Sequence, residues 1–440
     1  MRSLLVFLAI TGYMTPVFKK PYVGALVWIW IAVGTPHLES YGLAKTFQLN
    51  LVVAVVTLFC WLMYKKDSRV YKNSIMLATY FLLFLMILSN YSGEVPSYST
   101  QWLIRSLKVL MLAVVIVGLV DNRIRIHACM WVLAISLGYY GAKAGLGTIA
   151  SGGAFRVSGP YGGPIGDNNH TAAALVMIIP VMNYLRLESQ SKLVRILVVL
   201  VTIACVFGVL GTYSRGGFIG LCAMMGFYWL RSKGKVRNAL VVIILASIGA
   251  SFMPQSYYDR LATIESADED DGSFKGRLAA WQTAINIANA RPFGAGFRAY
   301  ERASVFGKYK PPDFHVPAMA IHSVYFEVLA DMGYPGLLTY LAVCAIAWLN
   351  IVWLKQHTAN IPHLMWANNC ARMIEISFAG FAVAGAALSM SFFEPLWILI
   401  ALVVATRGVV ERDLERQKAA QRKARWPGQA QPVGSLAPAE

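Results

Sequence analysis

Three arginines and one histidine stand where apolar stretches meet polar ones. Arg215 lies in GTYSRGGFIGL, Arg277 in DGSFKGRLAAW, Arg291 in NARPFGAGF, and His322 directly before SVYFEVLADMGYPGLL. A guanidinium presents five donors in a planar fork and grips phosphate oxygens in pairs. Gly216 and Gly217 behind Arg215 predict backbone N–H groups left open at a helix N-terminus, where the helix dipole favours an anion. Leu278, Trp281, Ile285 and Ala288 recur at a helical period, so Arg277 and Trp281 are expected one turn apart on a helix over 276–290. His322 is expected at or near a helix start, where a neutral imidazole can accept a proton from a hydroxyl near physiological pH. The bland readings are that a boundary arginine snorkels to headgroups and that a lone histidine is structural. Arg215, hemmed between Ser214 and Gly216, is read as functional, whereas Arg105 and Lys108 read as snorkelling. Arg156 in a glycine-rich loop is open to either reading. His170, in GDNNHTAAALV, reads mainly as part of a helix N-cap behind Asp167.

The elements that must position these residues are membrane spans. Of 440 residues 57% are hydrophobic and only 14% charged, against about 25% charged in soluble chains. Stretches near the roughly 20 apolar residues that cross a bilayer recur throughout. They predict an all-α, polytopic membrane protein with about 12 transmembrane helices: 22–36, 46–64, 73–90, 102–120, 126–146, 170–187, 194–212, 215–231, 237–253, 333–354, 373–390 and 394–409. Residues 3–18, a short apolar stretch, are open to reading as a thirteenth span or as a cytoplasmic-face re-entrant or interfacial helix, the latter favoured because twelve spans put both termini in the cytoplasm. A soluble enzyme, a nucleic-acid-binding module and a secreted disulfide scaffold are excluded. The net charge of +17 sits in alternate connections, which hold 22 of the 39 Lys and Arg. By the positive-inside rule those connections and the basic C-terminus are cytoplasmic, and the tail is expected to meet anionic membrane lipids. The six cysteines lack CxxC spacing and read as small hydrophobes.

Two connections on the opposite side are informative. Residues 147–169 carry seven glycines and two prolines and cannot form one helix. Residues 254–321 are the long hydrophilic insertion, with eight basic residues balancing eight acidic ones, as in a folded cap. The chain accordingly divides into N-terminal spans over 1–253, a loop or cap over 254–332, C-terminal spans over 333–409, and a basic, disordered tail over 410–440.

GTYSRGGFIGL, GRLAAWQTAINIANARPFGAGF and HSVYFEVLADMGYPGLL together resemble the O-antigen ligase and polymerase superfamily, with SGPYGGPIGDNNHTAAAL similar to its glycine- and asparagine-bearing segment. The middle of the chain is also similar to exosortase-associated O-glycosylation ligases. The resemblance implies an inverting glycosyltransferase of the GT-C type, without metal or cofactor, in the bacterial inner membrane and active on its periplasmic side. It implies an undecaprenyl-pyrophosphate-linked glycan as donor and a lipid A–core sugar hydroxyl as acceptor, or alternatively a protein Ser or Thr hydroxyl or a second lipid-linked glycan. By motif match Arg215 and Arg277 would hold the pyrophosphate, Arg291 would be a third cation, and His322 would be the base. Glu394, in SFFEPLW, would match an acidic residue near the family's C-terminal span. The run Asp268, Glu269, Asp270, Asp271 contains the D-x-D spacing of metal-dependent glycosyltransferases, but beside Gly272 it reads as a solvated loop. A flippase or transporter would instead carry charges along its spans.

Overall fold

The computed structural model describes residues 2–40, 48–64, 68–232, 234–236, 240, 272–314 and 316–425. The expected span 237–253 apart from residue 240, the acidic run 268–271 and the end of the tail, 426–440, lie outside the described residues.

Fourteen α-helices follow one another among the described residues: α1 (Arg2–Met14), α2 (Tyr22–Gly34), α3 (Leu49–Met63), α4 (Ser74–Tyr91), α5 (Pro96–Leu119), α6 (Arg123–Ala150), α7 (Asn168–Glu188), α8 (Lys192–Gly211), α9 (Arg215–Arg231), α10 (Gly272–Ala290), α11 (Ala303–Tyr309), α12 (Val324–Thr358), α13 (Met365–Gly385) and α14 (Glu394–Arg425). Five of them, α4, α5, α7, α8 and α12, are long and apolar enough to cross a membrane. The chain is a multi-pass helical membrane protein. At about 1.5 Å per residue α1 reaches only about 20 Å, short of the roughly 30 Å hydrocarbon core. It leaves Leu4, Leu5 and Leu8 more than half exposed.

Close packing joins the central helices, alongside polar contacts such as that of Ser377 Oγ, which donates to Met177 O at 2.8 Å. A Cβ on Gly217 of α9 would lie 2.3 Å from Ala172 Cβ of α7, and one on Gly220 would lie 2.7 Å from Ala384 Cβ of α13. Small residues at such crossings let helix backbones approach, which is how helices associate where lipid removes the hydrophobic drive. The tail departs from expectation. Residues 410–425 are not disordered but continue α14, where Arg69 pairs with Glu415 at 3.2 Å and Arg407 with Glu411 at 2.7 Å. The Arg69 pair and the contact of His363 to Asp413 at 2.8 Å hold the helix against its neighbours beyond the apolar stretch, while the Arg407 pair braces it from within.

Helix α12 is two helices in one. Gly333 has φ 64° and ψ −167°, which separates the short piece 324–332 from the long span 334–358. The turn 291–296 lies directly on this break: a Cβ on Gly333 would meet Pro292 O at 2.0 Å, and one on Gly294 would meet Asp331 O at 2.2 Å. Only glycine fits at either position, for both also have positive φ. Ala280, Ala284 and Ile287 of α10, with Tyr300, Phe306 and Ile321, form a second small core at this end of the bundle.

Candidate active site

The N-terminus of α9 is tied to the glycine-rich loop and to the start of α7. Val157 N–H donates to Gly211 O at 2.8 Å, and the Tyr213 hydroxyl donates to Gly153 O. Asn168 Nδ2 donates to Thr212 O at 2.8 Å, while Ser214 Oγ donates to Asn169 Oδ1 at 2.7 Å. Arg215 is half-buried at this junction. Of the two glycines behind it, Gly217 does not leave its N–H open. Ser214 Oγ accepts the Gly217 N–H at 3.0 Å, and Gly216 and Gly217 are spaces for Ala387 and Ala172. They are packing residues because side chains there would hold α9 away from α7 and α13. Arg156 is exposed and donates to Asn168 Oδ1 at 2.6 Å, so it braces the loop.

Arg277 reaches the same end from α10. Gly276 faces Met319, Trp281 Nε1 donates to Ile321 O at 3.0 Å, and the Trp281 ring stacks on Phe326 at 5.1 Å. These contacts lay the first turns of α10 along 319–322 and bring Arg277 within electrostatic range of His322. His322 is half-buried, two residues before α12 begins, and its φ of 52° is left-handed. Such a conformation costs a non-glycine residue about 1–3 kcal/mol and gathers at functional sites. Its backbone N–H donates to Ser389 Oγ at 2.9 Å, beyond the end of α13. Gly216 packs on Ala387 only two residues earlier, so Arg215 and His322 flank the same helix end. Burial, and after it the Arg277 guanidinium, lowers the basicity of the His322 imidazole below the ordinary value, with Asp167 pulling the other way. The imidazole is therefore neutral at physiological pH.

Beside Ser389 opens a cavity of about 180 Å³, lined among others by Arg105, His170, Arg298, Glu327, Asp331 and Glu394. Larger cavities lie at the basic end of the bundle, among Arg412, Asp413 and Arg416 and around Arg69 and Glu411, and a larger apolar one of about 290 Å³ opens beside Val324, Tyr325 and Gly385. His170 departs from its expected capping role: Asp167 Oδ1 takes the Asn169 N–H at 2.8 Å, and His170, in the first turn of α7, lines the cavity. Glu394 opens α14 within electrostatic range of Arg105. Arg105, expected to snorkel, thus stands beside a carboxylate in the cavity wall.

Arg298 escaped the sequence reading. It adopts φ 52°, donates its backbone N–H to Asp331 Oδ1 at 2.8 Å, lies 3.3 Å from Glu301 and 3.7 Å from Glu327, and covers the Trp102 ring at 4.2 Å. Glu327 Oε2 in turn accepts the Ser391 N–H at 2.9 Å. The overlooked signal was Glu327 and Asp331, two carboxylates four residues apart on one face of an otherwise apolar helix start, which demand a buried cation. Arg291, by contrast, is outside the cavity lining. It pairs with Glu94 at 3.0 Å and donates to Ser92 O and Gly294 O, fastening the turn 291–296 to the link between α4 and α5. Lys308 at 2.7 Å and Tyr309 at 2.5 Å share the same Glu94 oxygen. Their hydrogen bonds hold the carboxyl below its ordinary range.

Residues 199–341 match the family described as O-antigen ligase, and residues 1–190 match a family of unknown function. A comparison with curated proteins finds no match. Arg215, Arg277 and His322 all fall in the first of these segments, whereas Arg105 and His170 fall in the second and Glu394 in neither. Residues 199–341, which hold Arg215, Arg277 and His322, are thus similar to the O-antigen ligase family, as the motifs along them suggested.

Proposed function

We propose that the protein is an inverting, metal-independent glycosyltransferase of the GT-C type that acts at the periplasmic face of the bacterial inner membrane. It moves a glycan from undecaprenyl pyrophosphate to a sugar hydroxyl of lipid A–core, as in O-antigen ligation. The observation that carries the reading is the pairing of a neutral, half-buried His322 with Arg277 in range of it, at a helix end that Arg215 also flanks. Such a pairing suits one reaction type. An imidazole takes the acceptor proton as the acceptor oxygen bonds to the anomeric carbon. The bond from that carbon to the pyrophosphate breaks, and the diphosphate leaves with the electron pair.

Charge grows on the departing diphosphate as an oxocarbenium-like centre forms. Fixed guanidinium groups aimed there favour the transition state over the ground state. Arg215 and Arg277 fill that role here, and His322 is the base. The segment 254–332 acts as the cap over the sugars, and the C-terminus lies on the cytoplasmic side. Single displacement from the face opposite the leaving group inverts the anomeric centre.

The test is purified full-length protein in lipid nanodiscs, given an undecaprenyl-pyrophosphate-linked glycan and lipid A–core, with product and linkage read by mass spectrometry and NMR. The expected result is transfer with inversion. His322→Ala should cost about 10²–10⁴-fold in kcat, and Arg215→Ala or Arg277→Ala about 10²–10³-fold each. Undiminished turnover in any of the three variants would remove that residue's assigned role.

A further inference from the structure

At the basic end of the bundle, cavities of about 490 Å³ and about 280 Å³ share Val70 and Arg412, so they adjoin along α14. One part of the larger lining is aliphatic, made by Val117, Val120, Ala405 and Val409. Another part is charged, with Asp121, Arg412, Asp413 and Arg416. Tyr64 also lines it, directly after Leu62 and Met63, which are 62% and 73% exposed at the end of α3. In a membrane chain such apolar residues face lipid, and tyrosine gathers where hydrocarbon meets headgroups. The cleft therefore lies where a phospholipid can reach it.

Its charges leave cations over. Every carboxylate in the two linings already has a partner. Asp121 pairs with Arg125 at 2.9 Å, Glu411 with Arg407 at 2.7 Å and Glu415 with Arg69 at 3.2 Å. Asp413 is held by His363 at 2.8 Å and by Gln417 at 2.7 Å. Arg416 in one lining and Lys72 in the other are exposed and form no ion pair among the described residues. An aliphatic wall beside surplus cations suits an amphiphile with a negative head, as in basic pockets between membrane helices that take anionic lipids. Size points the same way. About 490 Å³, at roughly 10–15 Å³ for each water it could hold, is room for about thirty to fifty small groups, far more than a free phosphate ion fills.

We propose that this cleft binds one anionic phospholipid, with its phosphodiester held by Arg412, Arg416 and Lys72 and its glycerol and first acyl carbons along Val117, Val120 and Val409. A lipid seated there joins the turn 68–72, the link between α5 and α6, and α14, which also meet through the Arg69–Glu415 pair and through Arg412, which donates to Asp121 O at 2.7 Å. The site shares no residue with the groups assigned to glycosyl transfer, so it stands whether or not that reading does.

Native mass spectrometry of the full chain in detergent tests this, by titration with phosphatidylglycerol and with phosphatidylethanolamine of the same acyl chains. A single phosphatidylglycerol adduct is expected, at least about fivefold tighter than any adduct of phosphatidylethanolamine. Arg416→Gln should weaken it about fivefold, the worth of one basic residue near anionic lipid, and Arg416→Gln with Lys72→Gln about 25-fold. Both side chains are exposed, so the fold should survive, which melting in lipid-free detergent checks. Lys72→Gln alone, on a different element, serves as the test where Arg416→Gln folds poorly. Lys418→Gln, two residues farther along α14 and outside both linings, should leave the adduct unchanged. Equal affinity for the two lipids would overturn the proposal. So would a loss in Lys418→Gln as large as in Arg416→Gln, which would reduce the effect to diffuse attraction by the tail. Displacement of the lipid by inorganic phosphate would overturn it too, by making the cleft a site for free anions.

Discussion

His322 donates its backbone N–H to Ser389 Oγ at 2.9 Å, joining the residue before the α12 N-cap to the turn that follows α13. The bond holds a histidine whose φ of 52° it would otherwise leave. Ser389 is itself buried, so its hydroxyl offers that N–H a partner that water does not readily replace. Ser389→Ala should therefore let the imidazole wander. A net hydrogen bond is worth about 1 kcal/mol, which as transition-state positioning is a loss of roughly fivefold in kcat. Steady-state kinetics should show it in kcat, with donor KM unmoved; an unchanged kcat would mean that the strained backbone is held by other contacts.

If His322 is the base, acid should silence transfer through it. Its folded pKa lies below the ordinary 6.5 because of burial first and Arg277 second. The base form needed for proton transfer is then present at neutral pH and is lost as pH falls through that lowered value. Arg277→Gln removes one of the two depressing influences, so the acid limb of the kcat/KM profile should move upward in pH. A limb that stays in place, or moves down, would separate the activity profile from this histidine.

Glycines on α9 are expected to be intolerant for steric reasons. A Cβ at Gly217 would lie 2.3 Å from Ala172 Cβ, far inside contact distance, whereas one at Gly226 meets nothing within 4 Å. Gly217→Ala should lower thermal stability by about 1–3 kcal/mol, as overpacking does. Gly226→Ala should be neutral or slightly stabilising, because alanine favours helix by up to about 1 kcal/mol. Melting of both variants in one detergent decides the point; equal behaviour would mean α9 and α7 are not in contact.

The Glu94 node should act on stability before it acts on catalysis. Arg291→Ala removes a partly buried ion pair, 29% and 19% exposed at its two side chains, and should cost about 1–2 kcal/mol. Glu94→Gln should be similarly destabilising, and the double variant less than additive. The sign with pH follows from the carboxyl, which Lys308 and Tyr309 hold below its usual range. Its contribution is complete above the unfolded carboxylate value and fades as pH falls through the lowered one. A kcat that falls a hundredfold in Arg291→Ala without loss of stability would instead make Arg291 a third diphosphate ligand.

Chelation is expected to leave turnover intact. If Arg215 and Arg277 neutralise the leaving diphosphate, EDTA should not change the rate of transfer, and added Mg²⁺ or Mn²⁺ should not raise it. Loss of turnover in EDTA that either cation restores would return attention to Asp268–Asp271.

Much of the frame was legible in the chain itself. Hydropathy is a local property, so the apolar runs that became α4, α7 and α8 could be placed to within two residues, while α5 starts six residues earlier than its apolar run, and the helix bearing Arg277 and Trp281 followed from its period. The start of α12 just after His322 was legible for the same reason. Pairing across distance was not. The cavity takes Arg105 from α5, His170 from α7, Arg298 from a turn, Glu327 from α12 and Glu394 from α14, and no spacing along a chain encodes which helix faces which. Tertiary packing likewise put Gly216 and Gly217 at a helix crossing and paired Arg291 with Glu94, neither of which the motifs show. A motif shows which groups are available at an apolar boundary, but the helix contacts decide which of them are neutralised by a neighbour and which remain to meet a substrate.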